Sequence, residues 1–203
     1  MKILKKILAV LFPQKCLGCK KEDEILCPDC LGKINRPDTP YFKGVHIASN
    51  YQDPVVKKAL WMLKYQGVKQ LARPLAELIQ ERVWKKLETE GWLIVPVPLS
   101  KNKLRKRGFN QAELIAGELS GDIRANILFK KNNTKSQVEV KDRKERLANI
   151  IGSFEARNTG VIKGKKIMLI DDVYTTGATM NEAKKVLKEA GAKKVIGVVV
   201  AKG

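Results

Sequence analysis

No stretch constrains this chain more than IMLIDDVYTTGATM at residues 167–180. Ile167, Met168, Leu169 and Ile170 are all apolar, the composition of a parallel strand buried on both faces, and the run meets two adjacent carboxylates, Asp171 and Asp172. A buried strand has no packing use for such a pair, so the ending reads as chemistry. After Val173 and Tyr174 comes a small, hydroxyl-rich turn, Thr175, Thr176, Gly177, Ala178 and Thr179. A helix follows, with Ala183, Val186, Leu187 and Ala190 at helical spacing and Gly191 as its stop. Strand, turn and helix N-terminus make an anion cradle, where free backbone N–H groups, hydroxyl donors and the positive end of the helix dipole converge. Phosphate is the natural occupant. The carboxylates are acceptors that repel phosphate, so they should face hydroxyls or a metal. A phosphate at one end and a diol at the other describe a ribose 5-phosphate group. The competing reading is an ordinary α/β turn with a chance acid pair.

This order of residues resembles the phosphoribosyl pyrophosphate (PRPP) signature of type I phosphoribosyltransferases: four apolar residues, two acids, two more apolar residues, then a Thr- and Gly-rich loop. Tyr174 departs from the aliphatic residue usual there. The resemblance implies that Asp171 and Asp172 hold the ribose hydroxyls, that Thr175, Thr176, Gly177, Ala178 and Thr179 wrap the 5-phosphate, and that Mg²⁺ accompanies PRPP.

Cys16, Cys19, Cys27 and Cys30 are the only cysteines and read CLGC and CPDC. Two such knuckles supply four thiolates, the ligand set of a closed, structural, tetrahedral zinc site. Two disulfides or a redox pair are the alternatives. Zinc would fold a segment too short to bury a core of its own. The opening MKILKKILAVLFP superficially resembles a signal peptide, but its apolar stretch, residues 7–12, is short and no small-residue cleavage site follows. It reads as an amphipathic helix, and a cytoplasmic location is expected. No run of apolar residues is long enough to span a membrane. Residues 1–40 are therefore expected to form a helix and zinc element, and residues 41–203 an α/β domain.

Within that domain, residues 41–51 alternate loosely and predict a strand or two, expected as a small hood over the sheet. His46, the only histidine, lies there without a nucleophile to serve and reads as structural. Val56, Ala59, Leu60 and Leu63 predict a helix from Asp53 or Pro54 that ends near Gly67. A second helix begins near Pro74. The break between them, LKYQG, is a candidate anion loop in which Lys64 either contacts pyrophosphate or is a solvated helix-end lysine. Trp92, Leu93, Ile94 and Val95 predict a buried strand that Pro96 and Pro98 terminate. Residues 100–108 then hold Lys101, Lys103, Arg105, Lys106 and Arg107, a density of charge that predicts a mobile loop. Further strands are expected at residues 125–130 and 194–201. Strands near 92, 125, 167 and 194 alternating with helices predict a parallel sheet with its ligands at the carboxyl edge.

Combined with the PRPP-like stretch, VPVP, RGFNQ, the element from Thr134 to Gln137 and ERLANIIGSF, with Arg146, Asn149 and Phe154, resemble the ComF family. These proteins are linked to natural competence and join a cysteine-knuckle zinc element to a phosphoribosyltransferase domain. The fold so implied is α/β, a parallel-sheet type I phosphoribosyltransferase-like domain with a small N-terminal zinc-binding element. Val138, Glu139 and Val140 depart from the small turn expected after the glutamine. The resemblance places Lys103, Arg105 and Arg107 on the catalytic loop that closes over pyrophosphate; a patch for DNA is the competing use of the same cations.

Two functions stay open at this point. One is an enzyme that transfers a phosphoribosyl group from PRPP to an unread acceptor, mainly by stabilising charge. The other is a non-catalytic protein of DNA uptake or recombination, sensing PRPP or another ribose 5-phosphate nucleotide and contacting single-stranded DNA or a partner helicase. The formal net charge of +19 favours polyanions but is spread along the whole chain. At 6% aromatic residues, stacking platforms for single strands look scarce.

Overall fold

The computed structural model describes residues 14–88, 90–131 and 150–203. The expected helix at residues 1–13 lies outside the described residues, as do Thr134, Gln137, Val138, Glu139, Val140, Arg146 and Asn149. Among the described residues no helix is long and apolar enough to cross a membrane.

The residue 167–170 run is the centre of a six-stranded sheet, flanked in register on both sides. β7 (Lys166–Tyr174) pairs parallel with β3 (Trp92–Pro96) on one side and β8 (Lys194–Lys202) on the other. Because successive side chains point to opposite faces, Ile167 and Leu169 join one core while Met168 and Ile170 join the other. All four are fully buried, which is why the run is apolar without alternation. The first core is closed by α7 (Ala178–Glu189) through Met180, Ala183 and Leu187, with the short α6 (Thr159–Ile162) adding Ile162. The second is closed by α2 (Pro54–Trp61), α3 (Ala72–Arg82) and α5 (Gln111–Gly117). The knuckle residues Cys16, Leu26, Cys27, Leu31 and Ile34, around the short helix α1 (Pro28–Lys33), belong to this second core.

The strand order is β1-β2-β8-β7-β3-β4, where β1 is Tyr41–Phe42, β2 is Val45–Asn50 and β4 is Asp122–Ile123. Only β1 runs antiparallel. The chain leaves β7 towards α7 on one face and leaves β3 towards α5 on the other. Connections that part in this way open a crevice at the carboxyl ends of β7 and β3.

Four expectations need correcting. The hood expected around residues 41–51 is part of the sheet: β2 pairs parallel with β8 from Val45↔Gly197 to Asn50↔Lys202, burying Val45 and Ile47 on one face and Ala48 on the other. The strand expected at residues 125–130 does not join that sheet. Its remnant β5 (Leu128–Lys130) pairs antiparallel with β6 (Phe154–Ala156), and β4 takes the sheet edge beside β3. The basic residues expected as a loop form a helix, α4 (Lys101–Arg107). Its ends are both satisfied: the Ser100 hydroxyl accepts from Lys103 N–H, and Gly108, at φ +79°, returns its N–H to Leu104. None of its side chains is buried, so its charges stay hydrated and their repulsion is weak. Finally, β7 does not stop at the acids but carries them as strand residues through to Tyr174.

Candidate functional site

The carboxyl end of β7 brings most of the singled-out residues together. Asp171 and Asp172 are neighbours in an extended strand and so point to opposite faces. Asp172 is buried, 5% exposed, and Lys64 Nζ donates to its Oδ1 at 2.8 Å. Lys64 comes from a π-helical turn, Met62–Gln66, that continues α2 and ends at Gly67 with φ +69°. Such turns locally re-aim side chains. Among the described residues the second oxygen of Asp172 has no hydrogen-bond partner, although it is buried. A carboxylate left in that state is an unfilled acceptor, suited to a hydroxyl or a cation.

Asp171 keeps part of its surface open and accepts the Asp172 N–H at 2.8 Å. Burial, and then the charge of Asp172, push its carboxyl up to about 7, against the opposing pull of Lys64 and Lys130. Lys130, the last residue of β5, was missed by sequence reasoning. It is half-buried, its ammonium 5.0 Å from the centre of the Phe154 ring, and its pKa is lowered by burial and then by the positive charge of Lys103. The only signal for it was a lysine closing an otherwise apolar strand.

Beyond the acids, Thr175, Thr176, Gly177, Ala178 and Thr179 line an open hollow together with Asp171, Tyr174 and Val199. Thr175 and Thr176 are exposed, and the Thr176 hydroxyl accepts from Ala178 N–H at 3.4 Å. Gly177 is buried with φ +81°, and a Cβ there would lie 2.2 Å from the Tyr174 hydroxyl. The aromatic departure at Tyr174 is thereby accounted for: its ring is 4% exposed and fills the space beneath the glycine.

The basic helix α4 lies beyond the carboxyl end of β3. Asn110 fixes this exit: its Nδ2 donates to the Val97 carbonyl at 3.1 Å and its Oδ1 caps α5 through Ala112 N–H. Arg107 donates to Gln111 Oε1, and its guanidinium carbon lies 5.7 Å from the centre of the Tyr65 ring. Lys103 and Arg105 are exposed, and the charge of Lys103 bears on Lys130. His46 stands in β2, two strands from β7 at the level of Ile170, tilted against Tyr41 at 4.8 Å. Its pKa is lowered by burial and by Lys184 and Lys194.

The four cysteines converge, with their sulfurs all within 4.8 Å of one another. Cys27 Sγ is 3.6 Å from Cys16 Sγ and 3.6 Å from Cys19 Sγ. A tetrahedral site with metal–sulfur bonds of about 2.3 Å has sulfur–sulfur edges of about 3.8 Å, while a disulfide needs about 2.05 Å. The spacing fits a metal. A Cβ on Gly18 would lie 2.6 Å from Cys30 Sγ, so glycine keeps this cradle open. The Cys30 thiol is pushed up to about 12, first by its contact with Cys27 and then by burial, with Cys19 and Cys16 adding to the effect.

Residues 104–203 match the phosphoribosyl transferase domain family. Over 92% of this chain and 91% of the relative, the sequence is 32% identical to competence protein ComFC of Streptococcus pneumoniae. The chain belongs to the ComF family. ComFC of Bacillus subtilis is 31% identical over 93% of this chain and 75% of its own length. The DNA utilization protein YhgH of Escherichia coli is 27% identical over 87% and 84%. This ComF-family protein therefore joins a phosphoribosyltransferase fold to a cluster of four cysteines that can hold a metal such as zinc.

Proposed function

We propose that this protein binds PRPP with Mg²⁺ at the carboxyl end of β7, that phosphoribosyl transfer is the chemistry its site is equipped for, and that zinc fills the cysteine cluster as a structural ion. The observation that carries the reading is the meeting of a buried carboxylate, its Lys64 partner and a second carboxylate with the hydroxyl turn at the start of α7. In this reading Thr175, Thr176, Gly177, Ala178 and Thr179 cradle the 5-phosphate by N–H and hydroxyl donation. Asp171 and Asp172 accept the ribose hydroxyls. Mg²⁺ supplies charge neutralisation of the pyrophosphate, and the acids, with the unfilled Asp172 oxygen, fit its preference for carboxylate. Lys64, Lys103, Arg105, Arg107 and the newly found Lys130 supply positive charge around the leaving group.

Thermal unfolding tests this directly. A ligand that binds only the folded state at about 100 times its Kd adds about 2.7 kcal/mol, or roughly 5 to 10 °C in a chain of this size. Mg²⁺ and PRPP should give a shift of that order, reduced by Asp171→Asn with Asp172→Asn and by Thr176→Val. No shift at millimolar ligand in folded, metal-loaded protein refutes the site.

A second reading is favoured by the DNA-utilization relatives: a non-catalytic protein of DNA uptake that uses the pocket to sense PRPP. Measuring pyrophosphate release from bound PRPP with a panel of nucleobase and amine acceptors separates the two. Binding without release under every acceptor supports the sensor.

A further inference from the structure

A second hollow lies at the carboxyl edge of the sheet, away from the hydroxyl turn. It measures about 170 Å³ and is lined by Pro37, Asp38, Thr39, Asn50, Lys202 and Gly203. Asn50 ends β2 and Lys202 ends β8, so the hollow stands beside the end of β7. Backbone hydrogen bonds fix it there: Gly203 N–H donates to the Tyr174 carbonyl at 3.0 Å, and Tyr51 N–H to the Lys202 carbonyl at 2.9 Å. β3 and the cations of α4, which follows it, stand on the other side of β7.

Displacement at an anomeric carbon sets the entering and leaving groups on opposite faces of the sugar. With the ribose at the end of β7 and pyrophosphate towards α4, an acceptor enters from the side of β8 and β2, where this hollow lies. The lining then selects the acceptor. Asp38 offers a carboxylate and Lys202 an ammonium, and among the described residues neither lies within 4.0 Å of an opposite charge. Asn50, whose Oδ1 already accepts the Gln52 N–H at 2.8 Å, adds amide N–H donors. Phe42 is no platform for a flat heterocycle, since Lys43 and Lys202 stand over its ring at 5.3 and 4.4 Å and Tyr174 meets it edge-on at 6.0 Å. Two unpaired charges of opposite sign around a hollow well short of the ~300 Å³ of a drug-sized pocket fit a small molecule that carries both charges itself.

We propose that this hollow is the acceptor site and that the acceptor is a small amine bearing a carboxylate, its nitrogen held by Asp38 and its carboxylate by Lys202 and Asn50. The proposal rests on the PRPP reading and adds the acceptor class to it. In the transfer, the amine lone pair forms the bond to the anomeric carbon. The bond from that carbon to the pyrophosphate oxygen breaks, and its electron pair leaves with pyrophosphate. One proton passes from the nitrogen to the Asp38 carboxylate and then to water, leaving the N-phosphoribosyl amine.

The test uses the full, metal-loaded protein with Mg²⁺ and PRPP and follows pyrophosphate release. α-Amino acids and aminobenzoates are set against methylamine and aniline, which lack the carboxylate, and against adenine and uracil. The best carboxylated amine should release pyrophosphate at least about tenfold faster than its matched amine, because a site built to pair a group penalises its absence. Acetate or benzoate, a carboxylate without the nitrogen, should compete with it. Lys202→Met keeps an apolar stem over Phe42 and should erase the preference, whereas Lys202→Arg should restore it. Asp38→Asn should slow release from every amine. Lys202→Met and Asp38→Asn should each retain the Mg²⁺–PRPP melting shift, so a lost fold or a lost PRPP site is read separately. With that shift present, no release by any carboxylated amine, equally fast release by adenine or uracil, or a preference that survives Lys202→Met overturns the proposal. Absence of the shift in the unmodified protein refutes the PRPP reading, and the acceptor site with it.

Discussion

Gly177 shows how little freedom the turn after β7 has. Alanine there must adopt φ +81° and place its Cβ against the Tyr174 hydroxyl, 2.2 Å away. Backbone strain and overpacking together should make Gly177→Ala cost about 2 to 4 kcal/mol in urea unfolding. Adding Tyr174→Val removes the clash and leaves the strain. The double variant should therefore recover at least about 1 kcal/mol relative to additivity, and strict additivity would contradict the packing described. Asp171 carries a different prediction. Its carboxyl is raised from the ordinary value to about 7 by burial and then by Asp172, so the folded state holds its proton longer than the unfolded chain. The stability it contributes is full below about pH 4 and is lost as pH rises through about 7. Ligand binding runs the other way, because ribose hydroxyls need the ionised acceptor. The ribose 5-phosphate melting shift should grow from about pH 6 to 8 in the unmodified protein and grow less in Asp171→Asn, when corrected for the ligand's own phosphate ionisation near about 6.

At the scale of elements, the knuckles and α4 show opposite relations between charge and order. The sulfurs of Cys16, Cys19, Cys27 and Cys30 are gathered where their thiolates repel, so a cation is needed to hold them deprotonated together. Protein purified without added zinc should carry close to one zinc per chain, and Cys27→Ser should lose it together with the fold of the knuckles. Zinc retained after all four cysteines are replaced would remove the assignment. In α4 no side chain is buried, and two local devices, the Ser100 cap and Gly108, suffice to make a helix. Ser100→Ala should cost this helix about 1 kcal/mol, seen as faster amide exchange at Leu104, whose N–H bonds the Ser100 carbonyl at 2.9 Å.

Across the whole molecule the cysteine element is tied into the α/β core. Arg82 on α3 donates to the carbonyls of Ile34, Asn35 and Ala48, at 2.7 to 3.2 Å, and Asp53 accepts Asn35 N–H at 2.8 Å while capping α2. Leu31 and Ile34 share their core with Leu60, Leu75 and Ile79. Removing the metal with a chelator should therefore lower the temperature of one calorimetric transition for the whole chain. Two transitions, only one of them chelator-sensitive, would mark independent units. Arg82→Ala should mimic part of that loss by about 2 to 3 kcal/mol, since it leaves several partly buried carbonyls without donors.

What the sequence by itself determined is what is contiguous. The strand at residues 167–170, the acid pair, the hydroxyl turn, the following helix and the two CxxC knuckles are each specified within a few residues, because period, turn chemistry and ligand spacing are local. The non-local arrangement was decided only by tertiary structure. LKYQG marked Lys64 as a candidate anion contact, but its carboxylate partner Asp172 lies 108 residues away, and only the sheet and the π-helical turn bring the two to 2.8 Å. Lys130 joined the site because β5 folds back on β6 instead of entering the sheet, a choice made by pairing partners that residues 125–130 do not contain. Pattern settles which residues a segment buries, whereas which distant segment meets it depends on packing that no single window of the chain contains.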